Sequence, residues 1–297
     1  MQISAALQAS HRWALNRVRG VIRRSFSSRD TSLPHLAAVQ VVELPGAEGP
    51  LEARLYTPAA VAGDAPVLLY FHGGGFVMND LDTHEPLCIR LAVAAGMRVL
   101  ASSYRLAPEH RFPAQIDDAK CVAQFLVGEG ARVFETEGRI AIGGDSAGGY
   151  LAAAAAAALA AEESSTVRAQ MLLYPLLHLD EALWRQSALS QTRLLGWGAV
   201  RYINRQLQGA VAEPPSFLDA GAVAPAPCVI VAGGTLDPCR ADAERLAVSL
   251  KAADREVVWQ ENPMLMHGFG HLAHVSVTAR RAVEKAGRAV GELAWRS

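Results

Sequence analysis

The amino-acid sequence predicts one α/β domain spanning residues 1–297, with a mostly parallel sheet wrapped by helices on both faces. Three observations carry that expectation. Apolar runs of strand length alternate with helical stretches from residue 66 onward. Some of these runs, such as Pro66 to Phe71, are apolar at nearly every position, as strands buried on both faces must be. Finally, one run ends in a glycine-flanked serine, Gly144-Asp-Ser146-Ala-Gly148, and passes directly into an alanine-rich helix. The composition, 51% hydrophobic and 19% charged over 297 residues, leaves ample material for a large core and argues against disorder.

Taken in order, residues 1–30 hold Arg12, Arg17, Arg19, Arg23, Arg24 and Arg29 and no acid before Asp30. Ile3, Leu7, Leu15, Val18, Ile22 and Phe26 recur at helical spacing, so this is a basic amphipathic helix. It reads as a lid or as a helix docked on the body with a solvated arginine face. A membrane-surface anchor fits less well, and a transit peptide stays open. Val39 to Leu44 and Leu51 to Tyr56 follow as a hairpin around the turn-rich Pro45 to Pro50. The buried strand at Pro66 to Phe71 opens into His72-Gly73-Gly74-Gly75-Phe76, and three glycines in a row suggest backbone that must approach something closely.

A helix near Asp82 to Ala95, a strand at Met97 to Ser103 and a proline-bearing loop at Tyr104 to Pro113 come next. A helix at Ala114 to Val127 precedes the serine-bearing strand, and after it comes a strand at Arg168 to Tyr174. Residues 176–216 break the alternation and read as an insertion covering the site, with Trp184, Trp197 and Tyr202 as candidates for a pocket wall. Strands at Pro227 to Gly233 and Glu256 to Gln260, with helices at Ala241 to Ala252 and Val275 to Ala294, complete the pattern.

The bulk charge excludes one class of partner. With 28 basic and 29 acidic side chains the net charge is −1, so nucleic acid is not expected. Cys88, Cys121, Cys228 and Cys239 are far apart and no histidine stands at zinc-ligand spacing, which suggests neither a disulfide framework nor a metal site. With no membrane-length apolar run and no secretory leader pattern, the reading is a reducing, cytoplasmic setting without membrane contact.

The serine motif fits a nucleophile elbow, a tight strand-to-helix turn that lifts the hydroxyl above the sheet. A serine hydroxyl is a poor nucleophile at neutral pH, so it needs a histidine to take its proton and a carboxylate to fix that histidine's tautomer. On this scaffold the chain order is Ser, acid, His. Asp237, in Gly233-Gly-Thr-Leu-Asp-Pro238 just past a buried strand, is the first choice for the acid, ahead of Asp219 and Asp242. His267, in the loop after the last strand, is preferred to His271 and His274. The amides of Gly73, Gly74 and Ala147 are the expected oxyanion donors.

His72 to Phe76, Tyr104 to Pro113, Gly144 to Gly148, Leu236 to Pro238 and His267 to Phe269 together resemble the hormone-sensitive-lipase-like branch of the α/β-hydrolases, the bacterial carboxylesterases with an HGGG loop and a GDSAG elbow. The resemblance runs from about residue 40 to the end. It implies an α/β-hydrolase fold with an eight-stranded sheet and a small helical cap from about 1–38 and 176–216. It also implies a triad of Ser146, Asp237 and His267 and hydrolysis of short-chain acyl esters, a reaction that needs no cofactor; monomer and homodimer both stay open. An amidase or acyltransferase using the same triad, and a small-molecule receptor on the same scaffold, are the alternatives. The sequence departs from the family pattern at its short basic N-terminus, at Cys239, commonly an aliphatic position, and in the insertion.

Overall fold

The computed structural model describes residues 5–26, 32–61, 65–162, 167–186, 197–207 and 214–296. Helix α1 (Ala5–Phe26) leads into the hairpin β1 (Leu36–Gly46) and β2 (Gly49–Pro58), followed by β3 (Val67–Phe71), α2 (Leu81–Ala95) and β4 (Arg98–Ser102). Then come α3 (Ala114–Val127), the single turn α4 (Gly130–Val133), β5 (Ile140–Asp145), α5 (Ala147–Ala161) and β6 (Val167–Leu173). The segments α6 (Glu181–Gln186) and α7 (Trp197–Leu207) precede β7 (Cys228–Ala232), α8 (Arg240–Ala252), β8 (Val257–Glu261) and α9 (Val277–Arg296).

The sheet has eight strands in the order β1-β2-β4-β3-β5-β6-β7-β8. β2 pairs antiparallel with β1 and β4, and the other neighbours are parallel. Burial on both faces explains the apolar runs. In β3, Val67, Leu69 and Phe71 face one core while Leu68 and Tyr70 face the other, and all five are fully buried. Helices α3, α5 and α8 pack on the first face, and α2 and α9 on the second.

The hairpin is tighter than its sequence suggests. Pro45 pairs with Pro50 and Gly46 with Gly49, so the turn is Ala47-Glu48 alone and the prolines lie within the strands. β1 is an edge strand, where proline's missing donor costs no ladder bond, and Asp118 accepts from the Ala47 amide at 3.0 Å.

Small residues set the helix spacing. On α9, a Cβ at Gly291 would fall 2.3 Å from the Ala95 carbonyl oxygen, and one at Gly287 would fall 2.8 Å from the Ala94 Cβ. The backbones of α2 and α9 therefore approach closely, fixing α2 and the residues at its N-terminus beneath the glycine loop. Gly291→Val is expected to cost on the order of 1–3 kcal/mol by overpacking. A fall in the denaturation midpoint measures this, and an unchanged midpoint would show that the contact is slack.

Candidate active site

Ser146 occupies the step between β5 and α5 with φ 52° and ψ −117°, a conformation L-residues rarely adopt. Its flanking glycines are required by space. A Cβ at Gly148 would lie 1.9 Å from the Phe71 carbonyl oxygen, and one at Gly144 would lie 2.3 Å from Gly148. The turn is held by Ser146 N–H donating to Leu173 O at 2.9 Å and by Leu176 N–H donating to Ser146 O at 3.0 Å. The central strand thus presents Ser146 at its C-terminal end, where open parallel sheets place ligands.

Asp237 follows β7 and is almost wholly buried, its carboxylate accepting from Gly233 N–H at 3.2 Å and Cys239 N–H at 2.9 Å. The loop carrying His267 lies directly against it because Gly233 and Gly234 have no side chains. A Cβ on Gly234 would meet Pro263 O at 1.9 Å, and the bare Gly234 amide donates to Leu265 O at 2.6 Å. His267 Nδ1 then sits 2.9 Å from Asp237 Oδ1, and its Nε2 sits 2.8 Å from Ser146 Oγ. With a proton on Nδ1, Nε2 is left with its lone pair toward the serine. The Tyr174 ring stands edge-on to the imidazole, 5.2 Å between centroids.

The other acids and histidines find different partners. Asp242 lies 3.1 Å from His178 Nε2, and Asp219 meets Arg245 at the surface. His274 hydrogen-bonds through Nδ1 to the His271 carbonyl. His271 reaches the site, lining the cavity beside His84 with ring centroids 4.5 Å apart.

The oxyanion expectation needs one correction. The Gly73 N–H donates to Asp145 Oδ1 at 3.0 Å, so that amide is turned into the protein and does not face the serine. Gly74 and Gly75, both at positive φ, line the cavity with Ser146, and their amides have no acceptor among the described residues. Gly74 also closes the loop by accepting from Val77 and Met78 N–H at 3.2 and 3.1 Å. Its conformation excludes a side chain, since a Cβ there would meet Met78 O at 2.1 Å.

Asp145 is a residue of the site that the sequence pattern did not single out. Beside Gly73 it accepts from the Tyr70 hydroxyl at 2.8 Å and lies 3.2 Å from His84 Nε2. Burial alone would raise its carboxyl, yet the His84 ring, then His271 and the Tyr70 hydroxyl, hold it far below the usual carboxylate range. The available signal was a carboxylate inside an otherwise apolar strand end, which must find partners. Beneath it His72 stacks on Tyr104 at 4.4 Å, and the Tyr104 hydroxyl donates to His72 O at 2.8 Å.

A cavity of about 270 Å³ opens onto Ser146 and His267. Val200 and Ile203 of α7, with Leu176 and Met78, give it an apolar lining. Tyr202 contributes as expected, whereas the side chains of Trp184 and Trp197 and residues 187–196 lie outside the described residues. Helix α1 docks beside the glycine loop through Arg19. Its guanidinium donates to Val77 O and Ala107 O, each at 2.8 Å, and to both oxygens of Glu109.

A family model described as α/β hydrolase fold matches residues 68–271. Esterase LipI of Mycobacterium tuberculosis is 35% identical over 259 residues, 85% of this chain and 81% of its own length. Carboxylesterase NlhH of the same species is 30% identical over 253 residues, 82% of this chain and 77% of its own. Among solved structures, the thermostable carboxylesterase EstE1 from a metagenomic library superposes with a TM-score of 0.83 at 27% identity, covering 94% of this chain and 97% of its own.

The buried imidazoles set an acid limit on stability. Burial, with His84 nearby, lowers His72 to about 4 and His271 to about 3. Both folded values lie below the ordinary 6.5, so the unfolded chain takes up protons first as pH falls. The stabilisation is therefore full above the ordinary value and is lost as pH drops toward the folded ones. Asp145, also depressed, adds a loss of the same sign at lower pH. Thermal midpoints are expected to fall on acidification below about 6.5, and His271→Gln should make that fall shallower.

Proposed function

The chain belongs to the α/β hydrolase fold family, and from that membership we infer that it is a serine carboxylesterase working through Ser146, His267 and Asp237. The observation that carries the assignment of residues is the unbroken relay from Asp237 Oδ1 to His267 Nδ1 at 2.9 Å and from His267 Nε2 to Ser146 Oγ at 2.8 Å, at the edge of a cavity.

The steps follow from that geometry. An ester enters with its acyl group against Val200, Ile203 and Leu176. Ser146 Oγ attacks the carbonyl carbon while His267 Nε2 takes the hydroxyl proton, and Asp237 holds Nδ1–H and stabilises the imidazolium that forms. The negative oxygen of the tetrahedral intermediate is met by the amides of Gly74, Gly75 and Ala147, the last at the N-terminus of α5. Collapse expels the alcohol, protonated by Nε2. Water then repeats the sequence on the acyl-enzyme, returning Ser146 and releasing the acid.

A cavity of about 270 Å³ with an apolar wall suits short acyl chains, and α7 supplies part of that wall through Val200 and Ile203. No described helix is long and apolar enough to cross a membrane. We place the enzyme in the cytoplasm, a reading supported by four unbridged thiols, Cys88, Cys121, Cys228 and Cys239. With a net charge of −1, no nucleic acid partner is assigned.

Ser146→Ala is expected to abolish hydrolysis of p-nitrophenyl butyrate, and near wild-type turnover by that variant would refute the assignment. Asp237→Asn should lower kcat by roughly 10⁴ with the fold intact, because the amide leaves the imidazole in the wrong tautomer. Steady-state kinetics with circular dichroism of each variant checks both.

A further inference from the structure

The spacing of histidines and cysteines along the chain gives no sign of a metal site. Folding creates one possibility that spacing could not show. Ligand atoms of Asp237, Cys239 and His267 all lie within 4.8 Å of one another, at the wall of the active-site cavity. Cys239 is 3% exposed, and its sulfur has no hydrogen-bond partner among the described residues. A second group of this kind, His84, Asp145 and His271, offers no sulfur, the ligand that favours a thiophilic ion.

We propose that Cys239, His267 and Asp237 form a binding site for a thiophilic divalent cation, Zn²⁺ foremost, whose occupation switches hydrolysis off. The inhibitory half rests on the esterase reading above. A sulfur, an imidazole nitrogen and a carboxylate oxygen are ligands zinc accepts, and three protein ligands leave a fourth position for water. Tetrahedral zinc holds its donors roughly 3.5 Å apart, so side-chain adjustments of about an ångström close the set. On binding, the ion exchanges water ligands for the three protein donors, and the Cys239 thiol loses its proton to solvent. The resulting thiolate and the Asp237 carboxylate balance the two positive charges of the ion.

The switch follows from what zinc does to His267, whichever ring nitrogen it takes. Bound at Nδ1, it displaces the proton to Nε2, and a protonated Nε2 cannot accept from Ser146. Bound at Nε2, it occupies the lone pair that would take the serine proton. Either way the general base is lost while the fold is kept. Magnesium, which prefers oxygen ligands, should bind too weakly to act.

The test uses the full-length protein, with Cys239→Ser and Cys239→Ala as variants; each keeps the main-chain N–H at this position and the other three cysteines. Hydrolysis of p-nitrophenyl butyrate is measured against buffered free Zn²⁺, each protein normalised to its own metal-free rate, with Mg²⁺ and chelator controls. Wild type is expected to lose at least about tenfold in rate and to recover on chelation. Both variants should need far more zinc, a shift exceeding the roughly 10- to 100-fold that loss of an outer-shell partner costs. Titration with Co²⁺ gives a readout independent of turnover: a thiolate-to-cobalt charge-transfer band in wild type, absent from both variants.

Equal zinc sensitivity in wild type and variants, or a wild-type cobalt spectrum without the thiolate band, overturns the site. A Cys239-dependent band with hydrolysis unaffected by zinc overturns the switch. A Ser146-dependent esterase without the band sinks the metal site alone, whereas a Cys239-dependent band in a protein that hydrolyses no ester sinks the functional reading.

Discussion

The site depends on one close approach of backbone to backbone. The first turn of α5 lies so near the end of β3 that a single carbon on Gly148 would sit 1.9 Å from the Phe71 carbonyl oxygen. Only glycine permits that contact. It brings the strained turn at Ser146 beside the glycine loop that continues from β3, so the nucleophile and the candidate oxyanion amides are set by the packing of two neighbouring strands. The unfavourable φ of Ser146 is kept by main-chain bonds to Leu173 and Leu176.

A second constraint is electrostatic. Asp145 stands next to Ser146 with its carboxylate held by Gly73 N–H, the Tyr70 hydroxyl and His84. A carboxylate buried without such partners would be expelled or protonated. With them it fastens three pieces of chain, the glycine loop, the elbow strand and α2, to a common point. Gly73 thus has a shaping role, while the amides of the next two glycines have no acceptor among the described residues.

The helices α1 and α7 are specified differently. Arg19 ties α1 to the Val77 and Ala107 carbonyls and to Glu109, so the basic helix is fixed to the loops that frame the site. Helix α7 supplies apolar side chains to the cavity wall. Both helices lie outside the sheet that carries Ser146, His267 and Asp237.

Much of this was legible from the sequence, because period and turn chemistry depend on neighbours along the chain. Continuous apolar runs identified the doubly covered strands, Gly144, Ser146 and Gly148 identified the elbow, and the order of Ser146, Asp237 and His267 picked those side chains out. What only the tertiary structure decided is which group meets which across long separations. It set Asp242 against His178 while Asp237 took His267, turned the Gly73 amide toward Asp145, placed Cys239 beside the imidazole, and brought Ser146 within 2.8 Å of a residue 121 positions away. Such choices follow from strand register and from clearances of a few tenths of an ångström between loops. No local pattern encodes those distances, because they exist only once the strands have paired.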